Sequence, residues 1–140
     1  MTNTQLVARK LSTLAEYCAR ARRRRPDDFQ VLAGNAELQD ALGMALLVAI
    51  QEAIDMAFHV CTDERWGAPS SYAESFDLLA RHGVITDDLA GAMVRATGLR
   101  NRLAHGYASV DLSRLWTEVP EGLDALEAFG QSVAALVASR

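Results

Sequence analysis

The sequence predicts an all-α protein built as an up-and-down helical bundle. Three observations carry that prediction. Apolar residues recur at spacings of three and four along most of the chain, while β-branched residues never cluster with period two. Only three prolines interrupt 140 residues. Cap-forming residues and glycines fall between the periodic stretches rather than inside them.

Each element follows from its own residues. Leu6, Leu11, Leu14 and Cys18 form a stripe on a first helix, Thr4 to Arg25, which Pro26 stops. Asp27 and Asp28 can cap a short helical turn through Leu32, and Gly34 breaks it. Asn35 is an N-cap for the longest helix, Ala36 to Thr62, roughly 40 Å long at 1.5 Å per residue. Its apolar surface exceeds one stripe, so it is expected to pack on two sides, one of which can face a second protein chain. Small residues (Gly43, Ala45, Ala49, Ala53, Ala57) permit close helix approach there. Ser70 or Ser71 with Glu74 resembles a capping box for a helix through His82, ended by Gly83. Thr86-Asp87-Asp88 opens the next helix, which runs to about Ala104 before Gly106. Asp111 can cap a short helix to Val119. Pro120 is expected to separate it from a last helix, Glu121 to Ala138.

At 15.2 kDa the chain is the size of one domain, and residues 1–140 are read as one. Half of the residues are apolar and 23% are charged, a globular composition that excludes a disordered chain. The longest apolar run, Ala41 to Ile50, is about half of what a membrane span needs, so no membrane partner is expected. The start has no charged segment followed by an apolar one, which predicts no secretory leader and a cytoplasmic location. Cys18 and Cys61 lack metal spacing. They read as small buried hydrophobes in a reducing compartment, and no metal or other cofactor is expected.

The net charge of −4 hides an asymmetry. Residues 1–25 carry seven basic side chains and one acidic, a local +6 against −10 over the rest. A polyanion would need a local basic patch, and Arg22 to Arg25 is the obvious run. The plainer reading is a solvated helix end, where cations also suit the dipole.

One stretch breaks the amphipathic rule: Gly98-Leu-Arg-Asn-Arg-Leu-Ala-His-Gly-Tyr107. It concentrates Arg100, Asn101, Arg102, His105 and Tyr107 at a helix end and the turn after it. The pattern Arg100-Asn101-x-x-x-His105-x-Tyr107 resembles the Arg-x-x-x-x-His-x-Tyr signature of the HEPN superfamily, specifically its HepT-like ribonuclease toxins. The resemblance extends over about residues 36–115, through Pro69-x-x-Tyr72-x-x-x-Phe76, Gly83-Val84-Ile85 and Asp111. It implies an all-α dimer, joined through helix faces, in which two copies of the motif line one cleft. It further implies metal-independent RNA cleavage. The partner it implies is a nucleotidyltransferase antitoxin of the MntA type, which transfers AMP to the motif tyrosine, here Tyr107.

The chemistry of the residues is compatible with that. Cleaving RNA without a metal requires a group that moves protons between the 2′-hydroxyl and the 5′-oxygen. It also requires a cation on the phosphorane-like transition state. Histidine titrates near working pH, so His105 is the expected general acid/base. The planar guanidinium of Arg100 is the expected phosphate clamp. Asn101, four residues before His105, can orient the imidazole or the phosphate, and Arg102 suits the RNA backbone. An AMP group on Tyr107 would block RNA by bulk and charge. The plainer readings are a C-terminal cap for His105 and a packing aromatic for Tyr107.

Arg100 and His105 stand about 140° apart on an ideal helix. They converge only if the helix frays at Ala104 or if each copy of a dimer supplies one. Gln51, Asp55 and His59 form a polar stripe on the long helix, either bordering the cleft or on an exposed face. Two other functions compete. One is a catalytically inactive HEPN-like module that dimerises and binds a nucleotidyltransferase. The other is a nucleic-acid-binding bundle that uses Arg22 to Arg25.

Overall fold

The structure is a computed structural model and describes residues 3–106 and 110–140. Its elements are α1 (Thr4–Arg24), α2 (Phe29–Ala33), α3 (Ala36–Asp63), α4 (Tyr72–Arg81), α5 (Asp87–Ala104) and α6 (Leu112–Ala138). No strand occurs among the described residues.

Side-chain caps set the helix starts. Asn3, Asp28, Asn35, Ser71, Thr86 and Asp111 each accept a backbone N–H two or three residues on, satisfying a donor that the first turn leaves unpaired. The expected capping box is half realised. Ser71 accepts from the Glu74 N–H, but the Glu74 carboxylate turns to the backbone N–H and hydroxyl of Ser70. Those bonds hold its pKa below the usual carboxylate value.

Pro120 does not divide the last helix: α6 runs continuously from Leu112 to Ala138. A proline inside a helix removes the N–H that would bond the carbonyl four residues earlier, here that of Trp116. Arg25 supplies the replacement. Its Nε donates to the Trp116 carbonyl at 2.7 Å, and its guanidinium lies 4.3 Å from the Trp116 ring centroid. The Trp116 indole N–H donates to the Pro26 carbonyl at 2.7 Å, closing the joint. The helix survives its proline because the end of α1 satisfies the orphaned acceptor.

The contacts give the up-and-down order. The Asn3 N–H meets Asp63 and Lys10 meets Glu52 and Asp55, so α1 and α3 are antiparallel. Arg25 meets Trp116, Arg22 meets Asp124 and Glu127, and Leu14 lies against Gly130, so α1 and α6 are also antiparallel. At Gly130 a Cβ would stand 3.1 Å from Leu14 Cδ2, so the glycine lets these two helices approach closely. Helix α5 completes the bundle between α3 and α6, and α4 packs across the C-terminal end of α3.

The core is one apolar cluster centred on α3. By length and composition α3 could cross a membrane, but its apolar side chains form the middle of this core. Phe76 of α4 and Phe129 of α6, both fully buried, meet edge to face at 5.5 Å. Cys18 and Cys61 are buried free thiols, as the sequence predicts. The Cys61 thiol donates to the Ser75 carbonyl at 3.6 Å. Beyond α3, the loop leading to α4 is pinned where Trp66 packs on His82, the C-cap of α4, with ring centroids 4.1 Å apart.

Candidate active site at the end of helix α5

Helix α5 anchors its last two turns through buried Thr97 and Leu103, which fixes where the polar residues between them point. Arg100 lies half-buried against α3. Its Nε donates to Gln51 Oε1 at 2.9 Å, and its Nη1 donates to Asn101 Oδ1 at 3.2 Å. The Gln51 Nε2 donates to Asp55 Oδ1 at 2.9 Å. The other Asp55 oxygen is 3.4 Å from the Lys10 ammonium, which is equally close to Glu52. A continuous polar chain therefore links α1, α3 and α5. Among the described residues no carboxylate touches Arg100, and three of its five N–H donors remain for a ligand.

The helix ends at Ala104, as expected. His105 is its C-cap, with φ −90° and ψ 1°, and its side chain is exposed. Gly106 follows at φ +96°, a left-handed conformation that glycine adopts without strain. His105 is thus both the cap of the plainer reading and a solvent-facing imidazole at the chain's turn. The structure joins Arg100 to Asn101, while within one chain the hydrogen bonds of Arg100 run to α3 and Asn101 rather than to His105. Tyr107 lies outside the described residues.

Arg102 is exposed on a different side of α5. It borders a cavity of about 810 Å³, a groove between α5 and α6 floored by Leu46 and Ile50 of α3. That groove does not include Arg100 or His105. Its rim mixes Arg95, Arg102 and Arg114 with Asp88, Glu118 and Glu121, so it is no uniform anion site. A shallower cleft of about 270 Å³ lies beside Asp55, Phe58, His59 and Thr62, one turn along α3 from Gln51. The Gln51–Asp55–His59 stripe is therefore half-buried, and it meets Arg100 through Gln51. No group of three or more His, Cys, Asp or Glu placed to hold a metal ion occurs among the described residues.

Two arginines of the basic run, Arg22 and Arg25, are engaged within the fold. Arg22 bonds Asp124 at 2.8 Å and also Glu127, contacts that raise its guanidinium pKa above the ordinary value. Arg25 is the partner of Trp116.

Fold and site together define a HEPN-type helical protein. The sequence profile of the ribonuclease HepT-like family matches residues 14–133, and the chain belongs to that family. It is 33% identical over 92 residues to the mRNA nuclease HepT of Shewanella oneidensis, covering 66% of this chain and 69% of that protein. It is 30% identical over 74 residues to the tRNA nuclease HepT of Aphanizomenon flos-aquae, covering 53% of this chain and 50% of that one. The fold superposes with a TM-score of 0.86 and 27% identity on a tri-AMPylated HEPN toxin of Shewanella oneidensis in complex with MNT antitoxin, covering 96% of this chain and 99% of the toxin. A cytosolic protein of unknown function from Bacillus subtilis, YutE, shares the fold at 17% identity, with a TM-score of 0.85 over 99% of this chain and 92% of its own.

Proposed function

We propose that this chain is the ribonuclease toxin of a toxin–antitoxin pair. It cleaves RNA without a metal ion and is silenced when a nucleotidyltransferase antitoxin of the MntA type transfers AMP to Tyr107. The observation that carries the reading is the Arg100 guanidinium, held at the end of α5 by neutral carboxamides, five residues before an exposed imidazole. Family membership and the likeness to an AMPylated HEPN toxin support it.

In this reading Arg100 grips the non-bridging oxygens of the scissile phosphate and stabilises the charge that builds there. His105 takes the proton of the 2′-hydroxyl as that oxygen forms its bond to phosphorus. The phosphorus–5′-oxygen bond breaks, and an imidazolium returns a proton to the departing 5′-oxygen. The products are a 2′,3′-cyclic phosphate and a 5′-hydroxyl. Asn101 orients Arg100, and Arg102 contacts the RNA backbone. A homodimer brings the Arg100 of one copy to the His105 of the other, so dimerisation is a condition of activity. The chain acts in the cytoplasm and as a single domain.

Intact mass of the chain coexpressed with its nucleotidyltransferase and ATP tests the silencing step. The expected result is mass added in steps of one AMP, lost in Tyr107→Phe, with RNA cleavage falling as AMP is added. Unmodified mass, or full modification of Tyr107→Phe, overturns it. A purified dimer that binds the partner yet cuts no RNA would instead identify an inactive interaction module.

A further inference from the structure

We infer that Gln51, oriented by Asp55 and Lys10, is a positioning residue that aims the Arg100 guanidinium at the scissile phosphate without neutralising it. The inference rests on the nuclease reading above and extends the site from the motif on α5 to side chains on α3 and α1.

The geometry carries it in three links. The Arg100 Nε–H is held by Gln51 Oε1 at 2.9 Å, which fixes the rotation of the guanidinium plane and leaves the outer edge of the fork for a ligand. A carboxamide presents an acceptor on one side and a donor on the other, and a flip would put its NH2 against the cation. Asp55 prevents the flip, because its carboxylate accepts only and takes the Gln51 Nε2–H at 2.9 Å. Lys10 steadies Asp55 in turn from 3.4 Å, and its side chain is only 19% exposed. All three side chains are at least partly buried, and each polar end is matched by a group of the opposite kind.

Charge explains why the contact residue is a glutamine. A glutamate at this position would also hold Nε, but it would pair its charge with the guanidinium and weaken the pull on a phosphate. It would face Asp55 as well, a like charge. The neutral amide fixes direction and leaves the positive charge for the substrate. Asp55 stands one link further back, where Lys10 offsets part of the charge of Asp55 and Glu52.

The test separates this role from the nuclease reading. In full-length protein, the Arg100 Nε–H resonance is followed by nitrogen-15 NMR, with RNA cleavage measured in parallel. The wild-type proton is expected to exchange slowly with solvent. In Gln51→Leu it should exchange fast, with kcat down roughly ten- to a hundredfold and KM for RNA moving much less. Gln51→Glu should keep the proton protected while raising KM, because direction survives and charge is spent. Asp55→Leu should move both readouts in the same direction as Gln51→Leu but less far, because the Gln51 NH2 loses its acceptor while the Oε1 bond to Arg100 is kept. An Arg100 Nε–H equally protected in wild type and Gln51→Leu, or a Gln51→Leu protein with unchanged kcat, overturns the inference. If no variant and no wild-type protein cleaves RNA, the nuclease reading fails while the resonance still reports whether Gln51 holds Arg100.

Discussion

Two seams of the bundle use arginine in opposite ways. Along the α1–α6 seam, Arg22 lies between two carboxylates and Arg25 fills the acceptor that Pro120 leaves open. Those cations are consumed by the fold. Along the α3–α5 seam, Arg100 is just as firmly bonded, but its partners Gln51 and Asn101 carry no charge. One seam ties its arginines to carboxylates and a backbone carbonyl, and the other holds Arg100 through neutral side chains. The number of arginines in a segment therefore does not say how many stay open to a ligand, whereas their partners do: Arg22 faces carboxylates, Arg25 fills a backbone acceptor, and Arg100 is held by two neutral side chains. The +6 segment looks the more promising from composition, yet Arg22 and Arg25 of its basic run are tied into the fold, while among the described residues no carboxylate touches Arg100.

The largest effect that could break this contrast concerns the α5 seam. If the active site is shared across a dimer, Arg100→Ala and His105→Ala are each inactive. Mixed in equal amounts and allowed to exchange, they should recover about a quarter of wild-type cleavage, since half of the dimers then hold one intact site. No recovery after verified subunit exchange would mean that both residues act within one copy.

The structural arginines should answer in stability instead. Arg25→Ala leaves the Trp116 carbonyl without its donor and removes the stack on the ring. Denaturant unfolding should show a loss of about 1–3 kcal/mol with RNA cleavage per folded molecule unchanged. In a Pro120→Ala background the restored N–H serves that carbonyl, so the same substitution should cost less. Equal losses in both backgrounds would show that Arg25 does not compensate for the proline.

A pH effect follows from the two thiols. Burial, with the Glu127 charge adding at Cys18, raises both to about 11 from an ordinary 9.0. Groups raised on folding keep their contribution below pH 9.0 and lose it as pH climbs through about 11. Wild-type stability should therefore fall more steeply across that alkaline window than that of a Cys18→Ala/Cys61→Ala variant, as measured by denaturant unfolding. Parallel curves would contradict this. Smallest of all, Arg22→Ala should cost no more than about 1 kcal/mol, less in high salt, because its ion pairs are solvent-exposed. A larger, salt-independent loss would mean that the seam depends on them.

Most of the fold was legible because helix starts are written in local residues. Asn35, Thr86 and Asp111 cap where their side chains alone suggest. Pro120 misleads because the donor that rescues α6 sits on Arg25, far away in the chain. The motif residues were legible through their spacing and family resemblance. The stripe of Gln51, Asp55 and His59 was visible as a pattern, but its partner Arg100 belongs to another helix, and no local periodicity reports such a bond. Lys10 left no signal at all, since its role exists only once α1 packs on α3.

The central claim is that the end of α5 cuts RNA with arginine and histidine alone. It is tested most directly by incubating purified protein with RNA in excess chelator and analysing the new ends. Wild type should leave 2′,3′-cyclic phosphates, and Arg100→Ala and His105→Ala, each with unchanged circular dichroism and melting temperature, should cut at least about a hundredfold more slowly. Wild-type rates in either variant, or cleavage that stops in chelator and returns with added metal, would contradict the account.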